Sequence, residues 1–348
     1  MRIIIATTQV PFVQGGAEAH AQNLKTALIS HGHEAEIVAI PFKWYPPEKI
    51  VDTMLSCGLL DLTESCGRTI DRVIGLKFPA YLIPHPHKVM WILHQHRTAY
   101  ELWDHEFSDL INFPNGRQVR EAIRRADKKI IPQAKLIYTN SKTVSSRLKR
   151  FCNINSTPLY HPPPHADNFY CEAFESYLFF PSRVGKLKRQ WLVLEALAHT
   201  RQPVKIHFAG NPEMPSYLNE LKLRARTLKI ENRVKWLGYI SHEEKTQQYA
   251  RSRGVVYPPV DEDYGYITLE AMLSSKPVIT CRDSGGPMEF VRHEKTGLIV
   301  DPAPQALAAA MDRLWKDPSR AVQWGKNGQI RYKSMGISWE TVVKRLLQ

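Results

Sequence analysis

The stretch VYPPVDEDYGYITLEAMLSSKPVITCRDSGGP, Val256 to Pro287, decides the fold. Gly254 to Tyr257 is a short apolar, β-branched run that Pro258 and Pro259 bring to a stop, as a buried strand does on reaching the edge of its sheet. Three acids follow, Asp261, Glu262 and Asp263, and then Gly265. Beyond it Ile267, Leu269, Ala271, Met272 and Leu273 form an apolar stripe closed by Pro277. Gly265 is therefore expected where a loop becomes a helix. The first N–H groups of a helix have no intrahelical acceptor and its dipole is positive there, so an anion such as a diphosphate docks at that point without a lysine. Glu262 falls just before this anion site and Glu270 inside the helix. Carboxylates on both sides of a phosphate cradle suit a ligand with hydroxyls on both sides of its diphosphate, and a nucleotide sugar is such a ligand.

Spacing alone leaves a plainer reading open, in which both glutamates are ordinary first-turn charges favoured by the dipole. The surroundings speak against it. A second glycine pair, Gly285 and Gly286, follows the strand expected over Pro277 to Thr280, so the same layer of strand, glycine loop and helix is built twice.

The Glu262 to Glu270 spacing with Gly265 between, the run AMLSSKPVI after it, and SGGPMEFVRHEKTGLIV from Ser284 to Val300 together resemble the donor site of the retaining glycosyltransferases of family 4. The resemblance implies a GT-B fold: an α/β chain of two Rossmann-like domains facing across a cleft. It implies an N-terminal acceptor-binding domain over 1–165, a nucleotide-sugar-binding domain over 166–335, and a C-terminal helix over 336–348 that crosses back to the first domain. It further implies transfer from a nucleotide sugar with retention of configuration and without a metal or other cofactor, the acceptor being a glycan or a lipid-linked sugar of the kind used in polysaccharide biosynthesis.

Composition agrees with such a chain without selecting it. A length of 348 residues points to two domains. No run approaches the ~18 apolar residues of a membrane span, and the apolar start after Met1 is too short for a signal peptide, so a cytoplasmic protein is expected. Five scattered cysteines without a C-x-x-C argue against a disulfide framework and a structural zinc site. The formal charge of +13 suggests an anionic partner, whether nucleic acid, acidic lipid or phosphate-bearing substrate.

Taken in order, Arg2 to Thr7 reads as a buried strand, Val10 to Gly16 as a loop, Ala17 to Ser30 as a helix and Glu34 to Ile40 as a second strand, a βαβ unit. Gly15 and Gly16 are by themselves a weak motif; the resemblance places them beside the donor phosphates. Lys88 to Leu93 reads as a strand with His94, Gln95, His96 and Arg97 at its carboxyl end, the edge where open α/β sheets bind ligands. His85, His87, His94 and His96 do not have the spacing of a metal site. The resemblance instead puts a histidine near the transferred sugar, with His94 the first choice and His96 the second. Thr98 to Arg125 is expected to be helical, aromatic and basic. Its cations, continuing to Lys129, read either as a solvated face or as a contact with an anionic membrane, at the inner face in a cytoplasmic protein. Ser141 is expected to cap the helix after the strand Lys135 to Thr139, and the prolines between Pro158 and Pro164 read as the linker.

In the second half, Arg183 and Lys188 lie five apart in a loop between a strand and a helix. Two cations in a cleft clamp a diphosphate and hold the charge that builds as the sugar leaves. The resemblance thus assigns His94, Arg183, Lys188 and Glu262 to catalysis; Gly15, Gly16, Gly265, Tyr266, Ile267 and Glu270 to the donor; and Gly285 and Gly286 to a loop near the sugar. A nicotinamide oxidoreductase would need G-x-G-x-x-G after the first strand, which Gly15, Gly16 and Ala17 do not supply. A non-catalytic binder of nucleotides or nucleic acid on a Rossmann-like scaffold remains the alternative, although the basic residues are dispersed and no nucleic acid partner is expected.

Overall fold

Each half of the chain holds a sheet of six parallel strands whose first strand lies inside the sheet, the signature of a doubly wound α/β unit. The computed structural model describes residues 1–13, 15–172 and 174–348 and divides into two compact units, Met1–Pro164 with Ile337–Gln348, and His165–Gly336.

The first unit runs β1 (Arg2–Gln9), α1 (Gly16–Ser30), β2 (Glu34–Pro41), α2 (Glu48–Leu59), a small hairpin of β3 (Glu64–Ser65) and β4 (Arg68–Thr69), β5 (Arg72–Lys77), β6 (Lys88–His94), α3 (Gly116–Ile130), β7 (Leu136–Thr139), α4 (Lys142–Cys152) and β8 (Thr157–Pro158). Its main sheet has the order β2-β1-β5-β6-β7-β8. Strand side chains alternate between faces, and this splits the core in two. Val89, Trp91 and Leu93 pack with α1, whereas Met90 and Ile92 pack with Val119 and Ile123 of α3 and Val144 and Leu148 of α4. Ser141 caps α4, its hydroxyl accepting from the Val144 N–H at 3.1 Å.

The second unit runs β9 (Leu178–Pro181), α5 (Gln190–His199), β10 (Ile206–Ala209), α6 (Pro215–Thr227), β11 (Val234–Trp236), α7 (His242–Arg251), β12 (Gly254–Val256), α8 (Tyr266–Leu273), β13 (Val278–Cys281), α9 (Pro287–Phe290), β14 (Gly297–Val300), α10 (Pro304–Lys316) and α11 (Pro318–Ser334). The order β11-β10-β9-β12-β13-β14 reverses direction between β9 and β12, and the crevice at the carboxyl ends of such a pair is where these sheets bind ligands. The last helix, α12 (Trp339–Leu346), buries Val342, Val343 and Leu346 in the core of the first unit with Ala21, Leu24 and Leu28 of α1.

Two segments depart from the sequence expectations. Thr98 to Phe113 is not helical: it holds only short 3-10 turns at Arg97–Ala99 and Leu110–Asn112, and the helix starts at Gly116, after Pro114. The ring of Pro114 disfavours helical backbone at Phe113, and a Cβ at Gly116 would lie 1.9 Å from the Leu110 carbonyl oxygen, so the turn packs against the helix start. The other is α11, absent from the reading by periodicity. Its Gly325 touches the backbone of Ser275, where a Cβ would come to 1.9 Å of the carbonyl oxygen.

Candidate functional site

The loops that leave β9 and β12 at the switch point carry Arg183, Lys188, Glu262 and Gly265. After β9 the chain makes a 3-10 turn over Lys186–Lys188 and enters α5 through Arg189, held at φ +59. After β12 come Tyr257, the twin prolines and the acidic turn. The Val260 N–H donates to the Leu187 carbonyl at 2.8 Å, tying the two loops together.

A third loop, after β13, is stitched to the acidic turn by main chain alone. Asp261 N–H donates to Asp283 O (2.8 Å), Glu262 N–H to Ser284 O (3.0 Å) and Gly286 N–H to Glu262 O (2.7 Å). This pairing explains the second glycine pair. Gly285 stands at φ +70 with the Glu262 carbonyl oxygen 2.5 Å from where a Cβ would be, and Gly286 is equally closed by the Tyr264 carbonyl at 2.4 Å. Arg189 adds a two-toothed pair to Asp283, Nη1 to Oδ1 at 2.8 Å and Nη2 to Oδ2 at 2.5 Å.

Lys188 and Glu262 come together from 74 residues apart, the ammonium donating to the carboxylate. Tyr257 completes the group: its hydroxyl donates to Glu262 Oε2 at 3.0 Å and accepts from Lys188 Nζ at 3.3 Å. Burial first, and then the charge of Glu262, push the Tyr257 phenol well above its ordinary pKa, so it stays a neutral donor. Gly265 caps α8 at φ +85, a left-handed conformation that suits glycine, with the Pro287 ring 2.9 Å from the place of a Cβ.

Glu270 is turned inward, 4% exposed. Its Oε1 accepts from Lys245 Nζ at 2.8 Å and its Oε2 from the Tyr249 hydroxyl at 2.7 Å, and each oxygen keeps a further lone pair. Tyr266, half-buried, and Ile267, buried, open the helix beside it. Arg183 is not gathered with Lys188: its exposed guanidinium lies 3.5 Å from Glu213. Spacing did not single out Tyr257, Arg189, Lys245 or Tyr249. The only signal for Lys245 and Tyr249 was their place in a helix capped by Ser241 with Glu244, a capping box.

The remaining candidates belong to the first unit. Gly15 precedes α1 with an extended backbone at φ −163 that any residue adopts, Gly16 opens the helix, and Glu18 lies 3.8 Å from Lys77. His94 ends β6 half-buried, its Nδ1 2.7 Å from the Gln95 carbonyl. His96 packs against Phe42 and Phe78, with Nε2 3.2 Å from the Thr98 hydroxyl, and burial lowers its pKa to about 4. His85 and His87 sit in the turn before β6. Among the described residues no three His, Cys, Asp or Glu side chains are grouped to hold a metal ion.

Residues 174–331 match the profile of the family described as glycosyl transferases group 1. That match lies within the second unit. The β9/β12 crevice, the acidic turn and the Gly285-Gly286 loop all lie inside it. The chain is 34% identical over 143 residues to the alpha-1,3/1,6-mannosyltransferase ALG2 of Dictyostelium discoideum, an alignment covering 39% of this chain and 34% of that protein; the chain thus spans about a third of the length of that relative. It is 23% identical to the uncharacterized glycosyltransferase MJ1607 of Methanocaldococcus jannaschii over 99% of this chain and 96% of the other. In fold, its two Rossmann-like domains are those of GT-B glycosyltransferases: Anabaena HepE, solved in complex with UDP and glucose, matches at a TM-score of 0.72 and 18% identity over 100% of this chain and 98% of that one.

Proposed function

We propose that this chain is a retaining glycosyltransferase of family 4 that moves a sugar from a nucleotide-sugar donor to a glycan or lipid-linked acceptor without a metal. The observation that carries the proposal is the Lys188, Glu262 and Tyr257 group standing beside the glycine-capped start of α8, at the switch point of the unit that holds the group 1 match. The α8 amides and Lys188 take the diphosphate, Glu262 the sugar hydroxyls and Glu270 the ribose. As the bond from the anomeric carbon to the diphosphate breaks, the negative charge left on phosphate grows next to an ammonium already fixed by two partners, and fixed donors of this kind need no reorganisation during the reaction. The acceptor belongs to the first unit, with His94 close to the transferred sugar. That ALG2 is named a mannosyltransferase and HepE was solved with UDP supports a nucleotide-diphosphate sugar as donor.

The test is a thermal-shift screen against UDP-, GDP- and ADP-sugars. A ligand at 100 times its dissociation constant stabilises by about 2.7 kcal/mol, and one of the three classes is expected to do so and to release its nucleotide on incubation. If none stabilises the chain and none is cleaved, the reading is wrong.

A membrane contact is part of the same proposal. Arg117, Arg125, Lys128 and Lys129 are exposed on α3, and Leu55 and Leu59 are 64% and 86% exposed on α2, which Asn115 and Glu48 join to α3 by a 3.0 Å hydrogen bond. Near-surface cations contribute about 1 kcal/mol each on an anionic bilayer. The chain should sediment with phosphatidylglycerol-rich vesicles and lose that binding when Arg125 and Lys128 become Glu; equal sedimentation with purely zwitterionic vesicles would rule the contact out. Among the described residues, no helix is long and apolar enough to cross a membrane.

A further inference from the structure

Inside the first unit a carboxylate with no exposed surface stands among neutral donors. Asp127 lies on the buried face of α3 with Val119 and Ile123 and is 0% exposed. Its Oδ1 accepts from the Tyr81 hydroxyl at 2.9 Å, and its Oδ2 from the Tyr100 hydroxyl at 2.7 Å and from Gln95 Nε2 at 2.7 Å. These donors come from three places: the turn after β5, the chain just past the 97–99 turn, and the residue after β6. No cation is among these partners. A carboxylate buried without one is costly to keep unless its hydrogen bonds are complete, and burial accordingly pushes the Asp127 pKa up to about 6 while the three donors pull it back. A hydrophobic residue would fill this place at lower cost, so the question is what the carboxylate does.

The answer lies one residue away. Gln95 is itself buried, 6% exposed, and its amide also reaches Cys152 Sγ at 3.3 Å. Two anchors thus hold the residue between His94 and His96. The Gln95 carbonyl in turn meets His94 Nδ1 at 2.7 Å. A backbone carbonyl only accepts, so in neutral His94 the hydrogen sits on Nδ1 and Nε2 is the basic nitrogen. We infer that Asp127 is a positioning residue that, through Gln95, fixes the orientation and the Nδ1-protonated tautomer of His94. Loosening Gln95 frees its carbonyl to turn, and with it goes the Nδ1 contact that selects the tautomer.

The inference rests on the transferase reading only for its kinetic consequence, so its test has two arms. In the first, the protein is labelled with 15N-histidine and the His94 ring is assigned by its loss in His94→Gln. The native chain should show a protonated Nδ1 and an unprotonated Nε2, and Asp127→Asn should bring the two nitrogen shifts toward an averaged mixture. Gln95→Leu leaves both tyrosine bonds to Asp127 intact and should do the same, which covers the case in which Asp127→Asn fails to fold. In the second arm, kcat for nucleotide release from whichever donor the thermal screen selects should fall at least about tenfold in both variants, with donor KM changed far less because the contacts to its nucleotide and diphosphate belong to the other unit. Wild-type histidine shifts in Gln95→Leu would overturn the inference. Shifted tautomers with unchanged kcat would leave the positioning standing and remove His94 from the reaction instead.

Discussion

Lys188→Met is expected to lower the rate of nucleotide release from the donor at least about a hundredfold while the fold survives. The loss of one preorganised donor to a developing anion costs roughly 3 to 4 kcal/mol, or two to three powers of ten in kcat. Methionine keeps the unbranched apolar stem and removes the terminal ammonium with its hydrogen bonds. What remains in place is considerable: Tyr257 still donates to Glu262, the three loops stay joined by main chain, and Arg189 still holds Asp283. The side chains of Lys188 and Glu262 are 17% and 21% exposed, so the pair lies between the surface case, worth little, and the buried one, where removing a partner is severe. A melting temperature lowered by no more than a few degrees is expected beside the large kinetic loss. Arg183→Ala is the useful comparison, because its exposed contact with Glu213 contributes little to the fold and any loss of rate there reports contact with the donor alone. Turnover by Lys188→Met within threefold of the native chain would show that the ammonium has no part in charge stabilisation.

How much of this site was legible in the sequence depends on the range of the interaction. The glycine at the start of α8 follows from the acidic turn, the glycine and the apolar stripe, all local, and Gly265 indeed stands at φ +85 as the cap. Ser141 was read as a cap by the same kind of local argument and is one. The two parallel sheets follow from β-branched runs alternating with helices. The pairing of Lys188 with Glu262, however, spans 74 residues, and that of Lys245 with Glu270 spans 25. No periodicity carries such information, because partners of this kind are selected by strand order. The same limit explains the two errors in secondary structure. The cations of Arg117 to Lys129 made the whole stretch from Thr98 look like one amphipathic helix, whereas the aromatic residues before Pro114 fold back on the helix start. Helix α11 carries two glycines, Gly325 and Gly328, which weaken a helical signal in isolation but here admit the backbone of Ser275 and the side chain of Met272.

Mild acid should destabilise the first unit sharply, and the reason is a second group of residues that no motif marked. His20 on α1 is 1% exposed and sits between Trp91 (4.3 Å), His161 (4.2 Å) and Trp339 (6.3 Å), with neither ring nitrogen hydrogen-bonded among the described residues. Burial lowers its pKa to about 3; burial and then the neighbouring His20 hold His161 well below the ordinary range. Both rings stay neutral in the folded chain while the unfolded chain protonates them below about pH 6.5. The unfolded state therefore binds more protons, and stability falls as pH drops from 6.5 toward the folded values. At pH 4.5 His20, together with His96 whose folded value is about 4, costs roughly 5 kcal/mol, and His161 adds to the loss. Asp127 acts with the opposite sign. Its folded pKa of about 6 lies above the unfolded value, so the folded chain takes up the proton first and regains about 2 kcal/mol over the same interval. The net loss, about 3 kcal/mol before His161 is added, is a large share of the 5 to 15 kcal/mol by which domains are ordinarily stable. His20→Leu keeps an apolar side chain in the aromatic box and removes one of these titrations. Its melting temperature should fall less than that of the native chain between pH 7.5 and 4.5, whereas parallel curves for the two proteins would show that the acid sensitivity arises elsewhere.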